Sequence, residues 1–299
     1  MKIFLVGAGG FIGGRTAEYL ASKGHRIVTH CRSEMGDLTE DMIPRDSRAV
    51  VNAAGKLGSP KTHMPDLMES NAVLPKMLAR FCRRNSIHLI HLSTPGVAGL
   101  IPDSLENSPY SPWGDYELSK MEGEKAVLKT MPPSEGMCTV LRPDFVYGPG
   151  DLHKLPLFRQ ISKGWMPLVG RGEAKLRPTY CHDVSRAVEE SLPEGTLKPG
   201  LYNIAGPQVV SVREFAQTIA DALGKRVRFV GIPRLLFRMA LKLGPLRPGA
   251  LSESRYRLMG EDHYVSVKKA ESAGFQPETD VHKGVEATVS WYRSRGFLR

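Results

Sequence analysis

The sequence predicts an α/β protein: a doubly wound parallel sheet followed by a smaller C-terminal lobe. Three observations predict it. An apolar run at the N-terminus meets a glycine-rich turn and then a segment with helical spacing. Apolar strand-like runs and helical segments go on alternating as far as Leu141. After Gly148-Pro149-Gly150 the composition shifts to loops rich in Pro and Gly between short helices. Regular strand–helix alternation is the signature of a parallel sheet covered on both faces.

Element by element, Lys2 to Val6 reads as a buried strand, Phe11 to Lys23 as a helix and Arg26 to Cys31 as a second strand. Ala49 to Asn52 is another buried strand. Met64 to Arg84 is helical, with a kink expected at Pro75, whose ring removes a backbone donor. Ile87 to Leu92 is a strand, Tyr116 to Lys129 a helix and Cys138 to Leu141 a strand. In the second half the spacing predicts helices over Leu155 to Lys163, Asp183 to Ser191, Val212 to Leu223, Arg234 to Leu243 and Lys283 to Arg295. No internal repeat is visible.

The chain has 299 residues, 41% hydrophobic and 24% charged, which is ordinary for a soluble globular protein. No apolar run is long enough to span a bilayer, and the N-terminal run lacks the cleavage-like end of a secretory signal, so a cytoplasmic location is expected. Four cysteines (Cys31, Cys82, Cys138, Cys181) lie far apart, which points to free thiols rather than a metal knuckle or a redox pair; no metal site is expected. Of the net charge of +10, eight units fall between Lys225 and Arg257, where nine basic residues face Glu253 alone. Such a field suits an anionic partner (a nucleotide diphosphate, a nucleic acid backbone or an acidic membrane) or is simply a solvated basic face.

Gly7-x-x-Gly10-x-x-Gly13 sits where the first strand becomes the first helix. Its glycines permit a tight turn, a close approach of backbone to a pyrophosphate, and close helix–sheet packing. The N–H groups at the helix start, around Phe11 and Ile12, then face the phosphates with a partial positive charge. A nicotinamide dinucleotide is the expected cofactor. An NAD site ends its second strand with an acid for the ribose 2′-hydroxyl. Here that strand ends Thr29-His30-Cys31-Arg32-Ser33, and Arg32 with Ser33 could instead hold a 2′-phosphate. NADP is therefore the preferred expectation and NAD the alternative.

Tyr116 and Lys120 lie one helical turn apart on one face. A phenol is a poor base at its ordinary pKa, and a neighbouring ammonium is expected to favour the phenolate and lower that pKa. The tyrosine could then exchange a proton with a carbonyl or alcohol oxygen while hydride moves to or from the nicotinamide. Ser93-Thr94, at the end of the strand ending at Leu92, offers a hydroxyl for the same oxygen.

These residues resemble the extended short-chain dehydrogenase/reductase superfamily, of the nucleotide-sugar epimerase, dehydratase and reductase type. The matching segments include Gly7-x-x-Gly10-x-x-Gly13, Gly36-Asp37-Leu38-Thr39, Val51-Asn52-Ala53-Ala54-Gly55, Asn71, His91-Leu92-Ser93-Thr94, Tyr116 to Lys120 and Leu141-Arg142-Pro143 with Val146-Tyr147-Gly148-Pro149-Gly150. Arg177-Pro178-Thr179-Tyr180-x-x-Asp183-Val184 and Gly200-x-Tyr202-Asn203-Ile204 complete the series. The resemblance implies a Rossmann-type fold, with a dinucleotide-binding domain over residues 1–150 to which 174–205 return, and a substrate-binding lobe formed by 151–173 and 206–299. It implies Thr94 as the active-site hydroxyl, Tyr116 as acid/base, and Lys120 as both the modulator of Tyr116 and a ligand of the nicotinamide ribose. Asp37 and Leu38 should flank the adenine, Ala53, Ala54 and Gly55 should line the cofactor, and Pro143 to Val146 should lie near the nicotinamide. Asn71 should tie strands together rather than catalyse. Only four residues separate Arg32 from Asp37, a shortening that resembles dTDP-4-dehydrorhamnose reductase and predicts one strand fewer on that side.

On the substrate side, Arg177 and Arg257 fall where family members place cations for a diphosphate-linked sugar; a structural ion pair and plain surface charge are the competing readings. His153 and Lys154 follow in a substrate loop with no defined role. Arg234, Arg238 and Lys242 recur every fourth residue among apolar neighbours, as in a core helix with a basic rim or one that lines a pocket, docks a partner or rests on an acidic membrane. The leading reading is an NAD(P)-dependent oxidoreductase or epimerase acting on a keto or hydroxy group of a nucleotide sugar. Two alternatives stand beside it: a ketoreductase of a small apolar carbonyl, favoured by a greasy second lobe without a phosphate site, and a non-catalytic cofactor-binding scaffold or RNA-associated protein. Many relatives pair through the helix bearing the tyrosine, so a homodimer is an open expectation.

Overall fold

The computed structural model describes residues 1–58, 62–241 and 253–298, the side chains of 253–255 excepted. Its first half follows the alternation seen in the sequence: β1 (Lys2–Val6), α1 (Phe11–Ser22), β2 (Arg26–His30), α2 (Arg32–Met35), β3 (Ala49–Asn52), α3 (Met64–Met68), α4 (Leu74–Asn85), β4 (His88–Leu92), α5 (Asp115–Thr130) and β5 (Cys138–Pro143). The rest comprises β6 (Val146–Tyr147), α6 (Leu155–Ser162), β7 (Trp165–Val169), β8 (Lys175–Leu176), β9 (Thr179–Tyr180), α7 (Cys181–Glu190), β10 (Gly200–Ile204), β11 (Val210–Ser211), α8 (Val212–Leu223), β12 (Arg228–Ile232), α9 (Arg234–Leu241), α10 (Glu253–Gly260), α11 (Lys268–Ser272) and α12 (Val281–Ser294).

Six parallel strands form the main sheet in the order β10-β5-β4-β3-β1-β2. The order reverses at β1/β3, where a doubly wound sheet opens a crevice beyond the carboxyl ends of its strands. Strands β3, β4 and β5 are buried along their whole length, polar residues such as His91 and Arg142 included. One face packs Ile3, Leu5, Val51 and Ile90 with Leu20 of α1 and Val188 of α7; the other packs Phe4, Val50 and Leu89 with Leu78 and Phe81 of α4 and Val127 of α5. Strand β2 is the sheet edge. As the short Arg32-to-Asp37 spacing predicts, no further strand follows it there; the single turn of α2 takes its place.

The helix expected over Met64 to Arg84 does form, but Pro75 acts differently from a simple kink. A π-turn, Glu69–Val73, separates α3 from α4, and Pro75 sits in the first turn of α4, where a missing N–H costs least. A second core gathers Phe158, Met166, Leu168, Phe215, Ile219, Val285 and Tyr292 from α6, β7, α8 and α12. Strands β7 and β12 pair in parallel, β8 and β11 antiparallel, β6 and β9 in parallel. The helices α2, α10 and α11 are too short to announce themselves by periodicity. The helix expected to reach Leu243 is described to Leu241; Lys242, Leu243 and Arg247, and the side chain of Arg255, lie outside the described residues. Among the described residues no helix is long and apolar enough to cross a membrane.

Candidate active site

Two adjoining clefts open at the carboxyl ends of the sheet strands. The first, about 500 Å³, is bounded by Gly7, Gly10, Arg32, Ser33, Asp37, Leu38, Ala53, Ala54 and Gly55, with Val73, Leu74 and Met77 on the far side. The turn after β1 has no room for a side chain. At Gly7, φ is +91° and a Cβ would lie 2.6 Å from the Ala54 nitrogen; at Gly13 it would lie 2.1 Å from the Gly7 oxygen. The start of α1 is thereby pressed against the sheet with Gly10 as its N-cap, and no side chain caps its free N–H groups. This cradle fits the pyrophosphate of a dinucleotide. Phe11 and Ile12 belong to that helix start, but their side chains point elsewhere: Ile12 packs against the sheet core, and the Phe11 ring faces Gly150.

At the edge-strand end, Arg32 pairs with Asp37 at 2.9 Å and donates to Ser70 Oγ at 3.3 Å. The cation expected to hold a 2′-phosphate is present in the cleft, and an acid holds it.

The second cleft, about 750 Å³, brings together Thr94, Tyr116 and Pro143, residues far apart in sequence, with Leu258, His263 and Tyr264 on the opposite wall. Helix α5 is fixed beneath them. Arg142 of β5 is fully buried and donates to Glu124 through Nε at 3.0 Å and Nη2 at 2.5 Å, and Tyr110 donates to the same carboxylate at 2.8 Å. Asn71, set in the π-turn, donates to the Lys56 carbonyl and to Ser119 Oγ, both at 2.9 Å, and accepts from the Lys56 amide. It is a tie, but between the loop after β3 and α5 rather than between strands. A Cβ at Gly123 would lie 1.9 Å from the Asn71 oxygen, so α5 approaches the π-turn closely only because that residue is glycine.

Thr94 Oγ accepts from the Gly96 amide at 3.3 Å, which leaves its proton available to the cleft. Lys120 is buried and donates to the Leu92 carbonyl at 2.6 Å. Its Nζ lies 3.7 Å from the Cβ position of Gly55, which lines the first cleft, though Lys120 itself lines neither. The expected lowering of the tyrosine pKa is not found in this state. Burial raises the Tyr116 phenol, and the Glu117 carboxylate beside it adds to the rise. The lysine is itself engaged by a backbone carbonyl, and burial pushes its own pKa down to about 8.

The two arginines expected to hold a diphosphate part ways. Arg177 is committed to backbone carbonyls, donating to Gly206 at 2.6 Å, Val265 at 3.3 Å and Pro207 at 3.5 Å, and is not on the cleft wall. It pins two loops together instead of reaching substrate. Arg257 stacks over the Trp113 ring, 5.6 Å from its centroid, and Trp113 lines the cleft. Val146 pairs with Thr179 and accepts from Lys154 Nζ at 2.5 Å; it does not line the second cleft. His153 is not on that wall either; its amide donates to Asp151.

Sequence reasoning missed Asp144, His263 and Glu117. Asp144 lines the substrate cleft almost fully buried, with Oδ2 unpartnered, and burial pushes its pKa up to about 7. His263 donates or accepts at Nδ1 only with a carbonyl, that of Glu261 at 3.0 Å, so Nδ1 carries the proton and the unpartnered Nε2 is an acceptor. Burial also raises Glu117. Asp144 had one legible signal, a carboxyl placed directly after Pro143 at the end of a buried strand; His263 had none.

Comparison with known proteins agrees with the fold. Residues 3–205 match the model of the NAD dependent epimerase/dehydratase family. A dTDP-4-dehydrorhamnose reductase of Mycolicibacterium smegmatis is 29% identical over 78% of this chain and 73% of its own length. A 2-alkyl-3-oxoalkanoate reductase of Stenotrophomonas maltophilia is 27% identical over 95% of this chain and 97% of its own. Among solved structures, MoeE5 in complex with UDP-glucuronic acid and NAD superposes with a TM-score of 0.77 at 20% identity, covering 99% of this chain and 100% of that one, and so shares the Rossmann-type fold. With that match spanning the six-stranded sheet, the chain belongs to the NAD dependent epimerase/dehydratase family, the extended branch of the short-chain dehydrogenases and reductases.

Proposed function

We propose that this enzyme moves hydride between a nicotinamide dinucleotide, preferentially NADP, and a carbonyl or carbinol carbon held beside Tyr116. The observation that carries the reading is the convergence of Thr94 and Tyr116 on one cleft while the Lys120 ammonium stands behind Gly55 of the neighbouring cofactor cleft. The dinucleotide, when bound, supplies the hydride donor or acceptor. Thr94 orients the reacting oxygen by hydrogen bonding. Tyr116 delivers or removes its proton; as a protonated phenol it is ready to act as the acid in the reductive direction. Lys120 presents its ammonium toward the cofactor cleft from a position fixed by β4. Arg32 and Ser33 receive the adenosine end, where a 2′-phosphate would compete with Asp37 for the guanidinium.

For the substrate, the leading reading is a nucleotide sugar, supported by the dTDP-4-dehydrorhamnose reductase relative and by the UDP-glucuronic acid complex of MoeE5. A specific observation favours a second, an apolar carbonyl compound. Among the described residues no lysine or arginine lines the substrate cleft, whose walls include Leu57, Leu100, Ile101, Phe145, Leu258 and Val265. The 2-alkyl-3-oxoalkanoate reductase, similar over nearly its whole length, supports the same reading. NADPH oxidation measured against dTDP-4-keto sugars and against 3-oxoalkanoates separates the two. Turnover with one class and none with the other decides the substrate; an equal rate for Tyr116→Phe would overturn the mechanism in either case.

A further inference from the structure

Helix α9 buries one large side chain and exposes three. Phe237 packs with Val169 and Tyr256, its ring 5.4 Å from that of Tyr256. Leu235, Leu236 and Met239 stand 69%, 56% and 57% exposed, well beyond what a helix in a polar surface layer requires. They are not isolated. Strand β12 leads directly into the helix and exposes Val230, and its neighbour β7 exposes Trp165, whose register partner is Arg228. Around these apolar groups stand Lys225, Arg226, Arg228, Arg234 and Arg238, all exposed. Between Lys225 and Leu241 the sequence has no acidic residue. The face is therefore apolar and cationic at once, with Arg238 extending its stem over the Tyr256 ring.

From this juxtaposition we propose that α9 and the adjoining edge of β12 form a docking surface for an anionic lipid bilayer. The charge pattern selects this occupant. A second copy of the chain would bring its own cations against these, and like charges facing one another oppose pairing. A phosphate-rich lipid surface attracts such cations, while the leucines, the methionine and the tryptophan enter the boundary between headgroups and acyl chains. Placement gives the contact a use. Helix α9 packs on α10, and Leu258 of α10 lines the substrate cleft, so a docked protein would hold that cleft close to the membrane boundary. The surface belongs to a peripheral protein; the described helices include no membrane span.

The test is flotation of the purified full chain with vesicles of phosphatidylcholine alone and of phosphatidylcholine mixed with phosphatidylglycerol. The protein should float with the mixed vesicles, poorly with phosphatidylcholine, and be released in part by added salt. The exposed double variant Leu235→Glu/Leu236→Glu should lower partitioning by about ten-fold or more, as should Arg226→Gln/Arg228→Gln/Arg234→Gln. NADPH titration by fluorescence, expected to be unchanged in both, shows that the variants are folded. Absence of flotation with mixed vesicles, or equal flotation of wild type and variants, would overturn the proposal. So would a dimer in light scattering that Leu235→Glu/Leu236→Glu dissociates while vesicle binding is absent, which would give the face to a second copy.

Discussion

The Lys120 ammonium donates to the carbonyl of Leu92, 2.6 Å away at the end of β4, two residues before Thr94. Strand and helix are thus locked at the point where hydroxyl, phenol and ammonium must meet, and the cation is held toward the cofactor cleft. Burial brings its pKa from the usual lysine range to about 8 in the free protein. The charge is present below that pH and lost above it. NADPH affinity should therefore fall as pH rises through about 8, and the fall should be absent in Lys120→Met. Fluorescence titrations across the alkaline range check this; an affinity indifferent to pH in the wild type would speak against a charged lysine at the cofactor.

Tyr116→Phe removes one oxygen from a half-buried ring and leaves the glycine cradle untouched. Turnover should drop by about 10²-fold or more, the usual worth of a positioned acid or base, with NADPH affinity within about two-fold of wild type. Steady-state assay alongside fluorescence titration separates the two quantities. Loss of both together would mean that the phenol holds the fold or the cofactor rather than the reacting oxygen.

Cofactor choice rests on the pair formed by Arg32 and Asp37. Both side chains are well exposed, so the pair itself adds little stability. Arg32→Ala should weaken NADPH by about ten-fold, roughly 1.4 kcal/mol, while changing NADH little. Asp37→Asn should act in the opposite direction, since the 2′-phosphate no longer competes with a carboxylate. Dissociation constants for both cofactors on both variants give the answer, and a preference for NADH in the wild type would remove Arg32 from the role.

Asp144 makes a prediction about stability. Its folded pKa, about 7, is raised by burial above the ordinary carboxyl value of 3.8. A group of this kind binds its proton more tightly when folded, so its contribution is intact below pH 4 and is lost as pH climbs through 7. Asp144→Asn, which cannot ionise, should melt higher than wild type at pH 8, by an amount on the order of 1–3 kcal/mol, and about equally at pH 4. Melting curves at the two pH values suffice. A variant less stable at pH 8 would show that the carboxylate is satisfied there by a partner, such as Arg177 or Lys154, both of which favour its charged form.

Much of this architecture is written locally. The turn of Gly7 to Gly13 needs only its own backbone and one helix, and Tyr116 and Lys120 need only the pitch of α5, so both could be read from spacing. The short step from Arg32 to Asp37 likewise announced the edge at β2. What spacing could not convey was long-range. Arg177 reads as a phosphate ligand until loops near residues 206 and 265 arrive to take its donors. The lowering expected at Tyr116 is outweighed by burial, with Glu117 adding to the rise, and a helical wheel shows neither that burial nor the β4 carbonyl that receives the ammonium. The π-turn escaped notice because Pro75, the loudest residue nearby, fits quietly into the first turn of α4.

The strand absent beyond β2 has a practical side. Past β2 the chain makes the single turn of α2, and beside Gly36 nothing but its immediate chain neighbours comes within 4 Å of where a side chain would begin. A dinucleotide tethered through its purine would extend into water there instead of into backbone. Dye-labelled or resin-linked cofactors thus become natural handles for capturing this enzyme and for watching it load.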